Sequence, residues 1–195
     1  MRDRYMRPAV HEIILKHAHE DESSFVINEL GLKNGEYRAD IAVLNGKMIG
    51  YEIKAESDTL SRLEAQVKAY NALFDKVFII TCEKHLAGAL KIIPVWWGIY
   101  LASEDKQNGS YQFENYRSAK TNKKKDPFSI AQLLWKDEAI EVINTIYPGK
   151  VKTRFSRHEL YEILSNKLSS KKLSMIVIER LKTRANWRTS RVPLL

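Results

Sequence analysis

Cysteine is almost absent from this sequence of 195 residues, which contains Cys82 alone. A single cysteine excludes both an internal disulfide and a zinc site built from several thiolates. The sequence also lacks a run of about 18 apolar residues, so we predict no membrane-spanning helix and no membrane partner. Its first residues lack the apolar segment of a signal peptide. We therefore expect a cytoplasmic protein.

Acidic residues are scarce in the last third of the chain. Residues 120–195 contain 17 lysines and arginines but 7 aspartates and glutamates, whereas residues 1–119 contain 15 and 17. The net charge of +8 therefore resides in the C-terminal part. Such a basic segment favours contact with a polyanion, and DNA is the partner we expect. The alternative is a set of solvated basic helices without a partner.

The hydrophobic periodicity of the first hundred residues is typical of an α/β protein. Apolar residues recur at helical spacing near the start, and short β-rich runs then alternate with helical segments. Ser61 and Glu64 have the spacing of a helix capping box. We predict helices at 7–19, from about 61 and at 83–92, and strands at 23–32, 37–44, 47–55, 76–81 and 94–102. This order predicts a mixed central β-sheet flanked by helices.

The chain changes character after residue 102. Residues 103–127 are polar and contain three consecutive lysines, so we predict a mostly irregular connection, partly ordered against the core. Helical patterns follow at 128–146, 156–168 and 170–186. We therefore divide the chain into a core at 1–102, the connection at 103–127, and a basic helical region at 128–195. The last region has the composition of a helix-turn-helix-like nucleic-acid-binding module.

Four arginines recur near the C-terminus at spacings of four, four and three residues. On a continuous helix this spacing would align them in one stripe, suited to the phosphate backbone of DNA. The predicted nucleic-acid-binding residues are Arg180, Arg184, Arg188 and Arg191. The competing interpretation is a helical appendage that packs on the core and exposes a basic outer face.

Charged residues share one face of a predicted hairpin. The strands at 37–44 and 47–55 flank Asn45-Gly46, a strong turn signal. Side chains alternate between the two faces along a strand. Asp40, Glu52 and Lys54 therefore share a face only if even-numbered residues of one strand pair with even-numbered residues of the other. A three-residue loop at 44–46, with Gly46 in the left-handed region, meets this condition and pairs 43 with 47 and 40 with 50. Asp40 then lies diagonal to Glu52, about 7–8 Å away, so the two carboxylates can converge on one cation.

A helix that carries Gln66 and Tyr70 follows this hairpin. The ordered set of Asp40, the tripeptide at 52–54 and this Gln-x-x-x-Tyr element resembles the PD-(D/E)XK nuclease superfamily, in particular its RecB-like and lambda-exonuclease-like branches. Residues 27–81 are also similar to a group of small bacterial and phage proteins of that superfamily. Ala39 stands where the superfamily pattern has proline. The resemblance covers about residues 8–102 and implies a restriction-endonuclease-like core.

The resemblance also implies a metal-dependent nuclease. Asp40, Glu52 and the carbonyl of Ile53 would bind Mg²⁺ or Mn²⁺, hard cations that prefer oxygen ligands. Lys54 would orient or deprotonate the attacking water or neutralise the phosphate. Gln66 and Tyr70 would flank the site and steady a ligand or a DNA end.

The superfamily pattern includes a further acid upstream of the hairpin, and two residues compete for this position. Glu29 lies in the stretch that matches the small-protein group, and we prefer it as the additional metal ligand. Glu12 lies on the predicted first helix, where the wider superfamily places its acid.

Each of these residues also has a structural interpretation. Glu52 and Lys54 can form a plain ion pair, Asp40 can be a solubility charge, and Tyr70 can belong to the core. Two classes of function remain: a DNA nuclease, and a non-catalytic nucleic-acid-binding or regulatory protein that retains the fold. The presence of all three charged residues favours the nuclease. An RNA-directed enzyme is a third option, and the sequence is compatible with a homodimer.

Overall fold

The computed structural model describes residues 3–105, 107–148 and 154–184 of the chain. Six strands form one mixed sheet in the order in which they occur in the sequence. The strands are β1 (Phe25–Leu32), β2 (Tyr37–Leu44), β3 (Met48–Lys54), β4 (Lys76–Thr81), β5 (Gly98–Glu104) and β6 (Tyr111–Arg117). Strands β3, β4 and β5 are parallel neighbours, whereas the remaining adjacent pairs are antiparallel. The predicted mixed α/β fold is therefore confirmed.

Helices cover both faces of this sheet. Two of them are separated by a π-helical turn at Val10–Ile14, and a short 3₁₀ turn at Lys33–Gly35 joins β1 to β2. The α-helices are α1 (Asp3–Ala9), α2 (Lys16–Glu20), α3 (Leu63–Leu73), α4 (Glu83–Ile92), α5 (Pro127–Ala131), α6 (Lys136–Ile146), α7 (Arg157–Lys167) and α8 (Ser170–Thr183).

Each face of the sheet buries its own hydrophobic cluster. The first face carries Ala42, Leu44 and Val77 and joins them to α3, α4 and the four C-terminal helices. The opposite face carries Ile41 and Val43 of β2 together with residues of β3 and β4, and these pack against α1, the π-helical turn and α2. Alternation along the strands thus places Glu52 and Lys54 on the face that packs against α3.

The C-terminal helices share the core of the sheet. Leu160, Leu164 and Leu173 are buried in the same cluster as the strand residues of the first face. Helix starts here follow local capping rules, because Ser156 and Ser169 accept hydrogen bonds from the first turns of α7 and α8. Helices α5 to α8, from the region predicted as a separate basic helical module, therefore contribute to the hydrophobic core of the sheet.

Several predicted elements differ from the observed ones. The predicted helix at 128–146 is two helices, α5 and α6, and the predicted irregular connection contains β6, an edge strand paired with β5. The capping box at Ser61 is wrong: α3 begins at Leu63, and the Ser61 hydroxyl lies 2.9 Å from that of Thr59.

The hairpin between β2 and β3 confirms the parity argument but corrects the register. Leu44 pairs with Met48 and Ile41 pairs with Tyr51, so the loop has three residues at 45–47 instead of 44–46. Gly46 has a φ of 58°, as the left-handed position requires. The predicted pairing of 40 with 50 is wrong by two residues, because the loop begins and ends one residue later. Asp40 and Glu52 are each one residue beyond the last paired residues and face each other directly.

Across the three described segments, no helix has the length and hydrophobicity needed to cross a membrane.

Candidate active site

Glu52 and Lys54 form a buried ion pair near the end of β3. Their side chains are 1% and 8% exposed, and Lys54 Nζ lies 2.7 Å from Glu52 Oε1. Two residues of one strand separated by a single position share a face, which explains why the two groups meet. Burial of two charges costs several kcal/mol unless further hydrogen bonds satisfy them.

Helix α3 supplies those hydrogen bonds. Gln66 Nε2 donates to Glu52 Oε1 at 2.6 Å, and Gln66 Oε1 accepts from Lys54 Nζ at 3.0 Å. One turn later, the Tyr70 hydroxyl donates to Glu52 Oε2 at 2.5 Å. Residues four apart on a helix lie on one face, so the predicted Gln-x-x-x-Tyr element contacts the ion pair as a unit.

Asp40 joins this group from the neighbouring strand. Its Oδ2 accepts a hydrogen bond from the Ile53 amide at 2.8 Å, and its own amide donates to the Tyr70 hydroxyl at 3.3 Å. Tyr70 therefore links the two carboxylate residues: it donates to Glu52 and accepts from Asp40. The structure brings together Asp40, Glu52, Ile53, Lys54, Gln66 and Tyr70.

Arg7 of α1 is a member of this site that the sequence analysis missed. Its guanidinium lies 3.0 Å from Asp40 Oδ1 and donates to the Asp40 carbonyl at 2.8 Å. Nothing in the local sequence pairs Arg7 with a residue 33 positions away. The contact anchors α1 to the strand that carries Asp40.

Glu29 occupies a strained backbone position beside Asp40. Asn28 pairs with Ile41 and Leu30 with Ala39, so Glu29 stands opposite Asp40 but outside the ladder of paired residues. Its φ is 55°, an uncommon value for a residue other than glycine. Its carboxylate lies 3.7 Å from Arg38.

The other predicted upstream acid, Glu12, is exposed on the π-helical turn. Neither Glu12 nor Glu29 is tested as a metal ligand by this geometry, so both remain predictions.

The electrostatics of the site centre on Glu52. Burial, and then the charge of Asp40, raise the pKa of Glu52 to about 7, although Lys54 and Tyr70 act in the opposite direction. Burial and the neighbouring Glu52 raise the pKa of Tyr70 well above its usual range. Tyr70 is therefore a neutral hydrogen-bond donor, and Glu52 gains a proton more readily than an exposed glutamate.

Asp40, Glu52 and the backbone of Ile53 are the candidate ligands for a divalent cation. In the described part of the chain, no three His, Cys, Asp or Glu side chains are grouped to hold a metal ion. Asp40 and Glu52 nevertheless face each other at the end of two strands, with the backbone of Ile53 between them. Mg²⁺ is commonly bound by one or two carboxylates, with water and phosphate oxygens as the remaining ligands. Asp40, Glu52 and the backbone of Ile53 thus supply the types of donor that such a site uses.

The arginine stripe has a different environment from the one predicted. Arg184 is 9% exposed and donates to Glu138 and, at 2.7 Å, to the Leu133 carbonyl, while its guanidinium stacks over Trp135. Arg180 forms a 2.8 Å ion pair with Glu141. The prediction that Arg184 faces a phosphate backbone is therefore corrected, because its guanidinium is used inside the protein. Arg188 and Arg191 lie outside the described residues.

Together, the fold and site define a mixed α/β protein with a buried carboxylate–lysine pair between its sheet and a helix. The chain belongs to the bacteriophage P4 protein cII family, whose family model matches residues 2–191. It is 28% identical over 159 residues to protein cII of Enterobacteria phage P4. That match covers 82% of this chain, and the chain spans 59% of the length of this relative.

One solved structure is similar at low identity. The SPO1766 protein of unknown function from Silicibacter pomeroyi aligns with a TM-score of 0.42 and 16% identity, over 76% of this chain and 92% of that one. This likeness is too weak to support a functional argument.

Proposed function

We propose that the protein is a metal-dependent nuclease that hydrolyses phosphodiester bonds, in DNA in the first instance. The observation that carries this proposal is the buried Glu52, whose pKa is raised to about 7 beside Asp40 and Lys54. Strongly perturbed ionisable groups cluster at catalytic sites, because burial and like charges are what tune their reactivity.

The topology supports a restriction-endonuclease-like core. Strands β1 to β3 are antiparallel, β4 is parallel to β3, and α3 connects these last two strands. This arrangement places Asp40 and Glu52 on adjacent strands and the Gln-x-x-x-Tyr element on the connecting helix. These are the positions that the resemblance to PD-(D/E)XK nucleases implies.

The side chains of the site suit this chemistry. A bound Mg²⁺ or Mn²⁺ would stabilise negative charge on the phosphate and lower the pKa of water. Asp40, Glu52 and the Ile53 carbonyl would hold the cation. Lys54 would bind a phosphate oxygen or the attacking water. Gln66 contacts both Glu52 and Lys54 and so fixes their relative position.

Backbone strain at Glu29 gives independent support. A left-handed conformation in the middle of a strand costs on the order of 1–3 kcal/mol, and such strain concentrates at functional sites. Here it interrupts β1 directly opposite Asp40. We propose that Glu29 contributes to cation binding at this edge of the site.

A non-catalytic nucleic-acid-binding or regulatory protein is the second candidate. One observation favours it: each acid already has an internal cation, Lys54 for Glu52 and Arg7 for Asp40. The group is thus electrically balanced without a metal, as in a structural ion-pair network.

Incubation of the protein with linear, circular and branched DNA, and with RNA, separates these candidates. The nuclease proposal expects cleavage of DNA with Mg²⁺ or Mn²⁺ and none with excess EDTA. Binding of DNA without cleavage under any metal condition would reject the nuclease and leave the second candidate.

A further inference from the structure

We propose that four lysines, Lys123, Lys124, Lys171 and Lys172, form a surface that binds the phosphate backbone of a nucleic acid. We call this set the lysine patch. The four side chains are exposed, and in the described part of the chain no ion pair engages them. The inference shares with the proposed function only the choice of nucleic acid as the partner.

Two contacts join the start of α8, which carries Lys171 and Lys172, to the segment that carries Lys123 and Lys124. The Ser170 hydroxyl donates to the Lys125 carbonyl at 3.3 Å, and Lys125 Nζ donates to the Ser174 hydroxyl at 2.8 Å. Lys123 and Lys124 directly precede Lys125, and Lys171 and Lys172 lie between the two serines. The start of α8 therefore packs against the run of three lysines at 123–125, which we call the lysine run.

The lysine run is held in place by hydrogen bonds to the end of α3. The Asn122 side chain donates to the carbonyls of Asn71 and Phe74 at 2.7 and 3.0 Å, and its oxygen accepts from the Lys124 amide at 2.9 Å. The Asp126 amide donates to the Ala72 carbonyl at 2.8 Å. A surface ordered before binding loses less conformational entropy when a ligand binds.

The nearby acids do not neutralise the patch. Asp75 forms a 2.7 Å ion pair with Lys125, and the side chains of both residues are largely buried. Asp126 caps α5 by accepting hydrogen bonds from the amides of Phe128 and Ser129. The first turn of α8 contains no acid, although negative charge is what a helix N-terminus favours. Four like charges on one surface are unfavourable unless a polyanion or counterions neutralise them.

A nucleic acid fits this surface better than a membrane does. Helices that bind lipid surfaces present a broad apolar face to the bilayer. The apolar face of α8 is already buried in the core through Leu173, Val177 and Leu181. Charge alone remains for recognition, and a regularly spaced phosphate backbone matches exposed lysines.

The patch and the candidate active site lie at opposite ends of β3. Lys54 ends this strand, whereas Asp75, the partner of Lys125, accepts from the Met48 amide at its beginning. Binding at the patch is therefore separable from cleavage.

The test measures salt-dependent binding of a labelled DNA duplex by fluorescence anisotropy in EDTA, where no metal-dependent cleavage occurs. The variant changes Lys123, Lys124, Lys171 and Lys172 to Gln, and leaves Lys125 intact. Each phosphate contact contributes a slope of about −0.9 to the dependence of log K on log salt, so the slope should become shallower by about 3 to 4. Affinity at low salt should fall at least about tenfold.

A control variant changes four cations elsewhere, Lys16, Lys68, Lys91 and Arg157, to Gln. It should keep the slope of the wild type. An unchanged slope in the patch variant, an equal change in the control, or no DNA binding by the wild type would overturn the inference.

Two further comparisons complete the test. Loss of binding to phosphatidylserine vesicles by the patch variant, with DNA binding intact, would overturn the inference in favour of a membrane. If the wild type binds DNA through the patch but never cleaves it, the proposed function fails and the inference stands.

Discussion

At the scale of single residues, the site depends on one buried carboxylate with three direct partners. Lys54, Gln66 and Tyr70 all contact Glu52, and the Ile53 amide and Tyr70 connect it to Asp40. A buried pair of charges adds little stability by itself, because the cost of removing both from water offsets their attraction. The arrangement is therefore easier to explain as a binding or catalytic site than as a device for stability.

The raised pKa of Glu52 predicts a pH dependence of stability. The folded protein binds this proton with a pKa of about 7, above the ordinary 4.5, so it holds the proton more tightly than the unfolded chain does. The resulting stabilisation is present below the unfolded pKa and is lost as the pH rises through about 7. As the pH rises from about 5 to about 7 in EDTA, the titration of Glu52 should lower the free energy of unfolding by up to about 1.36 kcal/mol per pH unit.

Urea denaturation of the wild type and of Glu52→Gln across this pH range measures the effect. The variant should lack this part of the slope, whereas Glu64→Gln, on the exposed face of α3, should keep it. Equal slopes in all three proteins would mean that Glu52 does not titrate in this range.

At the scale of elements, local pattern predicts what local forces determine. The bounds of β2 and α4 agree with the sequence prediction. The β-branched residues of β2 and the helical spacing of apolar residues in α4 are both strong local signals. Strand β6 was missed because it is a mostly exposed edge strand with few buried side chains. Its pairing with β5 is a long-range contact that its own sequence barely encodes.

The site shows the same division between local and long-range information. The faces of Asp40, Glu52 and Lys54 follow from strand parity, and the Gln66–Tyr70 pair follows from helical spacing. The contact of Arg184 with Glu138 joins residues 46 positions apart, and the contact of Arg7 with Asp40 joins residues 33 positions apart. Spacing along one helix contains no information about either contact.

Strand β5 depends on a glycine at its first residue. A Cβ at Gly98 would lie 2.3 Å from the ring of Phe78 and 2.8 Å from the backbone nitrogen of Ala119. Gly98→Ala should therefore destabilise the protein by about 1–3 kcal/mol through overpacking. Chemical denaturation measures this.

Gly31→Ala is the matched control for this change. Its nearest contact would be at 3.8 Å, an ordinary distance, so its effect should stay within about 1 kcal/mol. Equal effects of the two substitutions would contradict the close approach of Phe78 to β5.

At the scale of the whole molecule, the sheet and the C-terminal helices form one hydrophobic core. Leu173 of α8 is fully buried in the cluster that includes Ala42 and Leu44 of β2. Leu173→Ala should destabilise the entire protein by about 2–5 kcal/mol, because it removes transfer energy and leaves a cavity. Met175→Ala is the control, since Met175 is 58% exposed.

Unfolding followed by circular dichroism and by tryptophan fluorescence should give one coincident transition for Leu173→Ala. Separate transitions, with the helical signal lost first and the rest unchanged, would show that the C-terminal helices fold independently.

We propose that Asp40, Glu52 and Lys54 perform metal-dependent phosphodiester hydrolysis. The most direct measurement is the single-turnover cleavage rate of DNA with Mn²⁺ for the wild type, Asp40→Ala, Glu52→Ala, Lys54→Ala and the control Glu64→Gln, each confirmed as folded by circular dichroism. Each of the three site substitutions removes transition-state stabilisation of several kcal/mol, so the rate should fall about a thousandfold or more. Glu64→Gln should cut at the wild-type rate. Cleavage by all three site variants at the wild-type rate would place the activity elsewhere and contradict the claim.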